Sequence, residues 1–147
     1  MIFSNERSEL RGFYFEIWRK YHAKEPLEPL EQQLLAIMLD HPEFHTMFND
    51  PDKYTDKDYQ PIDGVINPFL HMAVHHAIHD QISLNRPEGI REIYNALVNK
   101  LGNAHDAEHK IGECLVEGIW QAQQHKQAFD EAAYLQRLQK FSTKKQE

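Results

Sequence analysis

The chain has 147 residues, a formal net charge of -7 and no apolar run long enough to cross a membrane. Net negative charge disfavours binding to nucleic acid, which requires a basic surface. The 41% hydrophobic and 11% aromatic content is typical of one globular domain rather than a disordered chain. A single cysteine, Cys114, excludes an internal disulfide. The first residues show no signal-peptide pattern. We therefore expect a cytoplasmic protein that binds neither nucleic acid nor membranes.

Apolar residues recur at helical spacing in the N-terminal half of the chain. This spacing predicts helices over about Asn5–His22, Pro29–Leu39 and Pro42–Phe48. Ser4 or Asn5 is expected to cap the first helix, and Leu30 is expected to lie on the buried stripe of the second. From Asn49 to Ile66 the apolar residues follow no helical spacing, which predicts an acidic surface loop or a lid over a site.

Asparagine, aspartate, proline and glycine mark the predicted helix ends in the C-terminal half. Asn67 before Pro68 begins a helix, Gly102 ends one, and Asn103 and Asp130 cap the last two. The predicted helices cover about Pro68–Leu84, Pro87–Leu101, Ala104–Lys126 and Glu131–Phe141. No segment alternates with a period of two residues. The sequence thus predicts an all-α single-domain bundle of five to seven helices over residues 1–141, followed by a polar tail over residues 142–147.

Ten histidines make histidine the most informative residue type of the sequence. His71, His75 and His79 follow one another at four-residue spacing on one predicted helix, and His105 and His109 do so on another. On a helical wheel of 100° per residue, His71 and His75 fall on or beside the apolar face of their helix.

The helix that carries His105 and His109 is expected to bury the face formed by Glu108, Leu115, Val116 and Ile119. Cys114 would then point away from the core, as a tolerated small residue. Gly112 removes bulk one turn below the histidines, which allows close approach by a neighbouring helix or a ligand.

Histidines spaced four residues apart on two helices can reach one shared cation. The predicted ligands are His71, His75, His105, Glu108 and His109. This nitrogen-rich set favours zinc, iron, nickel or manganese over calcium or magnesium. His41 and His45 are weaker candidates because Pro42 lies between them. The order H-x-x-E-H also matches the inverted zinc-protease motif, which is a weak signal in so short a chain.

Two classes of function remain open from the residues alone. A metal with an open position could activate water for hydrolysis, with Glu108 or Glu113 as the base, and two metals would allow oxygen chemistry or oxygen sensing. The alternative is a non-enzymatic helical interaction module whose histidines are structural or respond to pH. The apolar stripes could be buried within one chain or across a homodimer.

Several stretches resemble the small bacterial family called domain of unknown function 1841. They are NPFLHMAVHHAI from Asn67, RPEGI from Arg86, AHDAEHKIGECLVEGIWQAQ from Ala104, and RSELRGFYFEIWRK and PLEPLE in the N-terminal half. The likeness covers about Met1 to Leu138. It implies a stand-alone bacterial domain and no particular reaction.

This resemblance also bears on the candidate ligands. It implies that the family pattern includes His71, His75, His105, Glu108 and His109. Relatives can carry an acidic or polar residue at the position of His79, which weakens His79 as a ligand. In architecture alone, the chain is also similar to hemerythrin-like and DinB-like helical proteins, which place histidines around a cation.

Overall fold

The computed structural model describes residues 2–59 and 67–143, and all the regular structure within them is helical. The elements are α1 (Ile2–Ala23), α2 (Pro29–Leu39), a 3-10 helix (Pro42–Phe44), α3 (His45–Phe48), α4 (Pro51–Tyr54), α5 (Pro68–Leu84), α6 (Ile90–Leu101), α7 (Ala104–Gln124) and α8 (Glu131–Thr143). No strand occurs in these two ranges, which confirms the predicted all-α class. None of the described helices is both long and apolar enough to cross a bilayer.

The described residues form eight α-helices, one more than the upper limit of the predicted five to seven. The additional helix is α4, which lies in the segment predicted to be a loop. Pro51 occupies its first turn, and the carboxylate of Asp50 accepts a hydrogen bond from the backbone N–H of Lys53 at 3.4 Å. A capped turn of four residues is too short to show a helical period. Residues 60–66 of the predicted loop lie outside the described residues.

Most helix boundaries follow the predicted signals. The helix predicted over Pro42–Phe48 is instead a 3-10 helix followed by α3, and α7 ends at Gln124 rather than at Lys126. Helix α1 begins at Ile2, so Ser4 and Asn5 lie inside it and do not cap it. Helix α6 begins at Ile90, after Gly89 adopts a left-handed φ of 98° that a glycine tolerates. Helix α8 continues to Thr143 and so includes the first residues of the predicted tail. The rest of that tail, residues 144–147, lies outside the described residues.

The chain divides into two compact units, Met1–Ala73 and Val74–Glu147, with the boundary inside α5. The prediction that residues 1–141 form a single domain stays a prediction. The core of the first unit joins α1, α2, α3 and the first residues of α5, and its buried side chains are Phe15, Ile17, Trp18, Leu34, Leu35, Ile37, Met38, Met47, Phe48, Phe69 and Met72. Leu30 was predicted to be buried, but its side chain is 46% exposed.

In the second unit, α6, α7 and α8 pack against one another. The face that α7 buries there agrees with the predicted one only in part, since Leu115 is buried as predicted. Ala107, Ile111 and Cys114 are buried, whereas Val116 and Ile119 are 44% and 41% exposed. The buried stripe of α7 thus contains Ala107, Ile111, Cys114 and Leu115, and its small side chains let neighbouring helices approach. Burial also raises the pKa of the Cys114 thiol, which makes it a poor nucleophile.

Two helical glycines provide a matched test of this packing. A Cβ added to Gly118 would lie 2.5 Å from Cε2 of Phe129, whereas a Cβ added to Gly12 would meet nothing within 4 Å. We expect Gly118→Ala to lower the free energy of unfolding by about 1 kcal/mol, because overpacking outweighs the gain in helix propensity. Gly12→Ala should raise it by about 0.5–1 kcal/mol. Urea denaturation measures both, and equal effects of the two substitutions would contradict the packing of Phe129 on α7.

Candidate metal centre

Helix α5 carries three histidines on successive turns. The Oδ1 atom of Asn67 accepts a hydrogen bond from the backbone N–H of Phe69 at 3.0 Å, which confirms the predicted cap and fixes the start of the helix. His71, His75 and His79 then follow at four-residue spacing. His75 is only 3% exposed, while His71 and His79 are partly buried. The spacing therefore buries one imidazole and leaves the other two partly accessible.

Helix α7 brings a second group of polar side chains to the same face of its first turns. Its start is capped by Asn103, whose Oδ1 accepts from the N–H of Asp106 at 2.8 Å. Glu108 and His109 are partly buried and His105 is exposed. Gly112 allows α5 to come close, as expected, since an added Cβ would lie 3.1 Å from Cγ1 of Val74.

Three imidazole rings from these two helices pack together within Val74–Glu147. The ring centroids of His105 and His109 are 4.2 Å apart. The ring of His75 lies 5.1 Å from that of His109 and 5.9 Å from that of His105. The structure therefore brings the predicted residues His75, His105 and His109 into one cluster, which we call the histidine cluster.

The carboxylate of Glu108 bridges two histidines of α5. Its Oε2 lies 3.3 Å from Nδ1 of His75, and its Oε1 lies 2.5 Å from Nε2 of His79. Burial alone would raise the pKa of Glu108, but the hydrogen bonds and charges of His75 and His79 outweigh it and bring the pKa to about 2. Glu108 is therefore ionised at neutral pH. A carboxylate can only accept, so Nδ1 of His75 carries a proton and Nε2 of a neutral His75 keeps its lone pair.

A second histidine pair lies within Met1–Ala73. His41 is 2% exposed, and its Nδ1 donates to the carbonyl oxygen of Ile37 at 2.8 Å. Because that oxygen can only accept, Nε2 of a neutral His41 also keeps its lone pair. This atom lies 3.2 Å from Nε2 of His71. Two ring nitrogens at this distance share either a proton or a cation.

His45, the other weak candidate, is held by a hydrogen bond and by contacts with aromatic rings. Its Nε2 lies 2.9 Å from the carbonyl oxygen of Met38. Its ring packs on Trp18 with the centroids 4.7 Å apart, and on Phe48 at 6.1 Å. These contacts account for a histidine at this position without a metal.

Four histidines bring their ring nitrogens close to one another. Ring nitrogens of His41, His71, His75 and His109 all lie within 4.8 Å of one another, so these four residues could hold a metal ion. His71, His75 and His109 were predicted from their spacing, whereas His41 was only a weaker candidate. The other predicted residues adjoin this set, since Glu108 is bonded to His75 and His105 packs on His109.

Comparison with known proteins defines the family of the chain. Residues 6–140 match the family described as DUF1841, a domain of unknown function. The chain belongs to this family. No curated protein and no solved structure matches the chain. The DUF1841 match thus agrees with the resemblance seen in the sequence and assigns no reaction, so the chemistry of this DUF1841 chain has to be argued from its own side chains.

The bridging role of Glu108 in the DUF1841 chain can be tested without metal. In chelator-treated protein, we expect Glu108→Gln to lower the free energy of unfolding by about 1–3 kcal/mol, because one imidazole N–H then loses a charged acceptor. The control is Glu113→Gln on the same helix, where an exposed carboxylate pairs with Lys110 at 3.0 Å. This control should change stability by less than about 0.5 kcal/mol. Denaturation curves that coincide for the two variants would contradict the bridge.

Proposed function

We propose that this DUF1841 protein binds a divalent transition metal through the imidazoles of His41, His71, His75 and His109. One observation carries the proposal, namely the four ring nitrogens that lie within 4.8 Å of one another. A tetrahedral zinc ion with bonds of 2.0–2.1 Å holds its ligand nitrogens roughly 3.3 Å apart. Ligation therefore requires only small side-chain movements.

The hydrogen bonds of the two buried histidines support metal ligation. Metal-bound histidines usually donate their second ring N–H to a carboxylate or a backbone carbonyl, which fixes the tautomer and orients the ring. His75 makes this bond to Glu108 and His41 makes it to the carbonyl of Ile37. In both neutral rings Nε2 is then the acceptor atom, which is the kind of atom that ligates a cation.

This arrangement gives Glu108 a positioning role in the proposal rather than the role of a ligand. Both of its oxygens are engaged, one by His75 and one by His79. His105 packs on His109 and lies outside the group of four candidate ligands. The sequence suggested both residues as ligands, and the proposal moves them to the periphery of the centre.

An all-imidazole donor set suits zinc, nickel or iron, and suits manganese less well. A metal held by four histidines is coordinatively closed and stabilises the fold, as structural zinc does. Hydrolytic or oxygen-related chemistry requires one position to open to water or oxygen, with a base such as Glu113 nearby.

The competing hypothesis is a helical interaction module whose histidines hydrogen-bond one another and bind no metal. The contact of 3.2 Å between Nε2 of His41 and Nε2 of His71 favours it, because a shared proton would satisfy both atoms. The two hypotheses differ in the metal content of the purified protein.

Elemental analysis of untagged protein is the direct test. We expect close to one transition-metal ion per chain in the wild type, and less than about a tenth of that in the double variant His75→Ala, His109→Ala. The matched control replaces two exposed histidines, His22→Ala and His125→Ala, and should keep the full metal content. Wild-type protein that stays metal-free after incubation with zinc, nickel or iron would exclude the proposal.

Thermal melting gives an independent prediction. Binding to the folded state alone stabilises by about 4 kcal/mol when free metal is a thousandfold above its Kd. A chelator should therefore lower the Tm of the wild type by roughly 10 °C, and restored zinc should recover it. The Tm of the His75→Ala, His109→Ala variant should not respond to the chelator. A response of equal size in that variant would show that the chelator acts elsewhere.

A further inference from the structure

A cavity of about 230 Å³ lies within Val74–Glu147 and shares no residue with the candidate metal centre. The last turns of α7, the segment after them and the first turns of α8 form its walls. Its polar lining includes Gln121, His125, Asp130, Tyr134 and Arg137. The volume is below the roughly 300–1,000 Å³ of sites for drug-sized ligands, so an occupant would be small.

The guanidinium of Arg137 is the charged group that determines which kind of ligand the cavity can bind. Its Nη1 atom is buried, and no hydrogen-bond acceptor reaches it among the residues that the structure describes. Arginine stays protonated in proteins, so this atom is a charged donor shielded from bulk water. A buried donor without an acceptor is costly, and native proteins satisfy nearly all such groups with protein, water or ligand atoms. We therefore expect Arg137 to bind an acceptor that does not belong to the residues the structure describes.

Hydrogen bonds already engage three other polar side chains around the cavity. The carboxylate of Asp130 accepts from the backbone N–H of Ala133 at 3.0 Å and caps α8. The hydroxyl of Tyr134 donates to Oε1 of Gln81 at 2.7 Å. Gln121 donates through Nε2 to Glu117 at 3.0 Å. Arg137 is therefore the permanently charged cation of the wall, and its buried Nη1 has no acceptor among the described residues.

We propose that this cavity binds a small organic monocarboxylate. A carboxylate matches the planar fork of a guanidinium and can accept two parallel N–H bonds. The alanines of the wall, Ala122, Ala128 and Ala133, suit a short hydrocarbon body. The nearby carboxylate of Asp130 repels a second negative charge, which favours a monocarboxylate over phosphate or a dicarboxylate. This site does not depend on the proposed metal centre.

Binding can be measured by NMR on the protein as purified, with butyrate as the probe at constant ionic strength. We expect butyrate to shift the signals of Arg137 and of the first turns of α8 with a Kd of about 1 mM, which is typical of a ligand this small. The uncharged isostere butyramide and inorganic phosphate should bind at least tenfold more weakly. Equal binding of butyrate and butyramide, or the absence of any binding because only an ordered water fills the cavity, would overturn the proposal.

Substitution of Arg137 separates ligand binding from a structural role. Arg137→Met should weaken butyrate binding at least tenfold and Arg137→Lys less, while Gln136→Met, at an exposed neighbouring position on α8, should leave binding unchanged. Without butyrate, Arg137→Met should keep or raise the Tm, because it removes a donor that has no acceptor. A Tm that falls by several degrees in the absence of butyrate would assign the guanidinium to the fold and contradict the proposal. The metal content should be the same in all three variants.

Discussion

The carboxylate of Glu108 determines which ring nitrogens of His75 and His79 carry a proton. Because an ionised carboxylate accepts hydrogen bonds and donates none, both imidazoles that meet it must present an N–H. In His75 the proton is thereby held on Nδ1, and the lone pair of the neutral ring is held on Nε2. The carbonyl of Ile37 acts in the same way on His41. Two buried rings thus have a defined donor side and a defined acceptor side, and the chemistry argued for this centre depends on that polarity.

Much of the fold could be predicted from local signals. Asn67 and Asn103 cap α5 and α7 as predicted, and the four-residue histidine spacing survives because both helices run unbroken. The face that α7 buries could be predicted from hydrophobicity only in part, since Leu115 is buried as predicted. On that helix the small residues Ala107 and Cys114 face the core, while Val116 is exposed. A helical wheel ranks side chains by apolar character alone, whereas small side chains also favour burial because they let two helices pack closely.

The role of His41 was harder to predict, because it depends on residues distant in sequence. His41 follows the end of α2 and precedes a 3-10 helix, so it belongs to no amphipathic period. A signal was nevertheless present. A histidine just after a helix can donate to one of the last carbonyls of that helix, and Nδ1 of His41 does so to Ile37, four residues earlier. The contact with His71, thirty positions away, has no such local signature.

The same rule about buried polar atoms points to opposite ligands at the two sites. At Glu108, a buried negative charge is met by two donors of its own chain, so this part of the protein is satisfied without a ligand. The imidazoles of His41 and His75 are different, because each donates through Nδ1, so Nε2 of the neutral ring is an acceptor atom, which is complementary to a cation. At Arg137 the unmatched atom is a charged donor, which is complementary to an anion. The metal proposal therefore combines the grouping of four imidazoles with the acceptor character of their ring nitrogens, and the carboxylate proposal combines a cavity with a buried cationic donor.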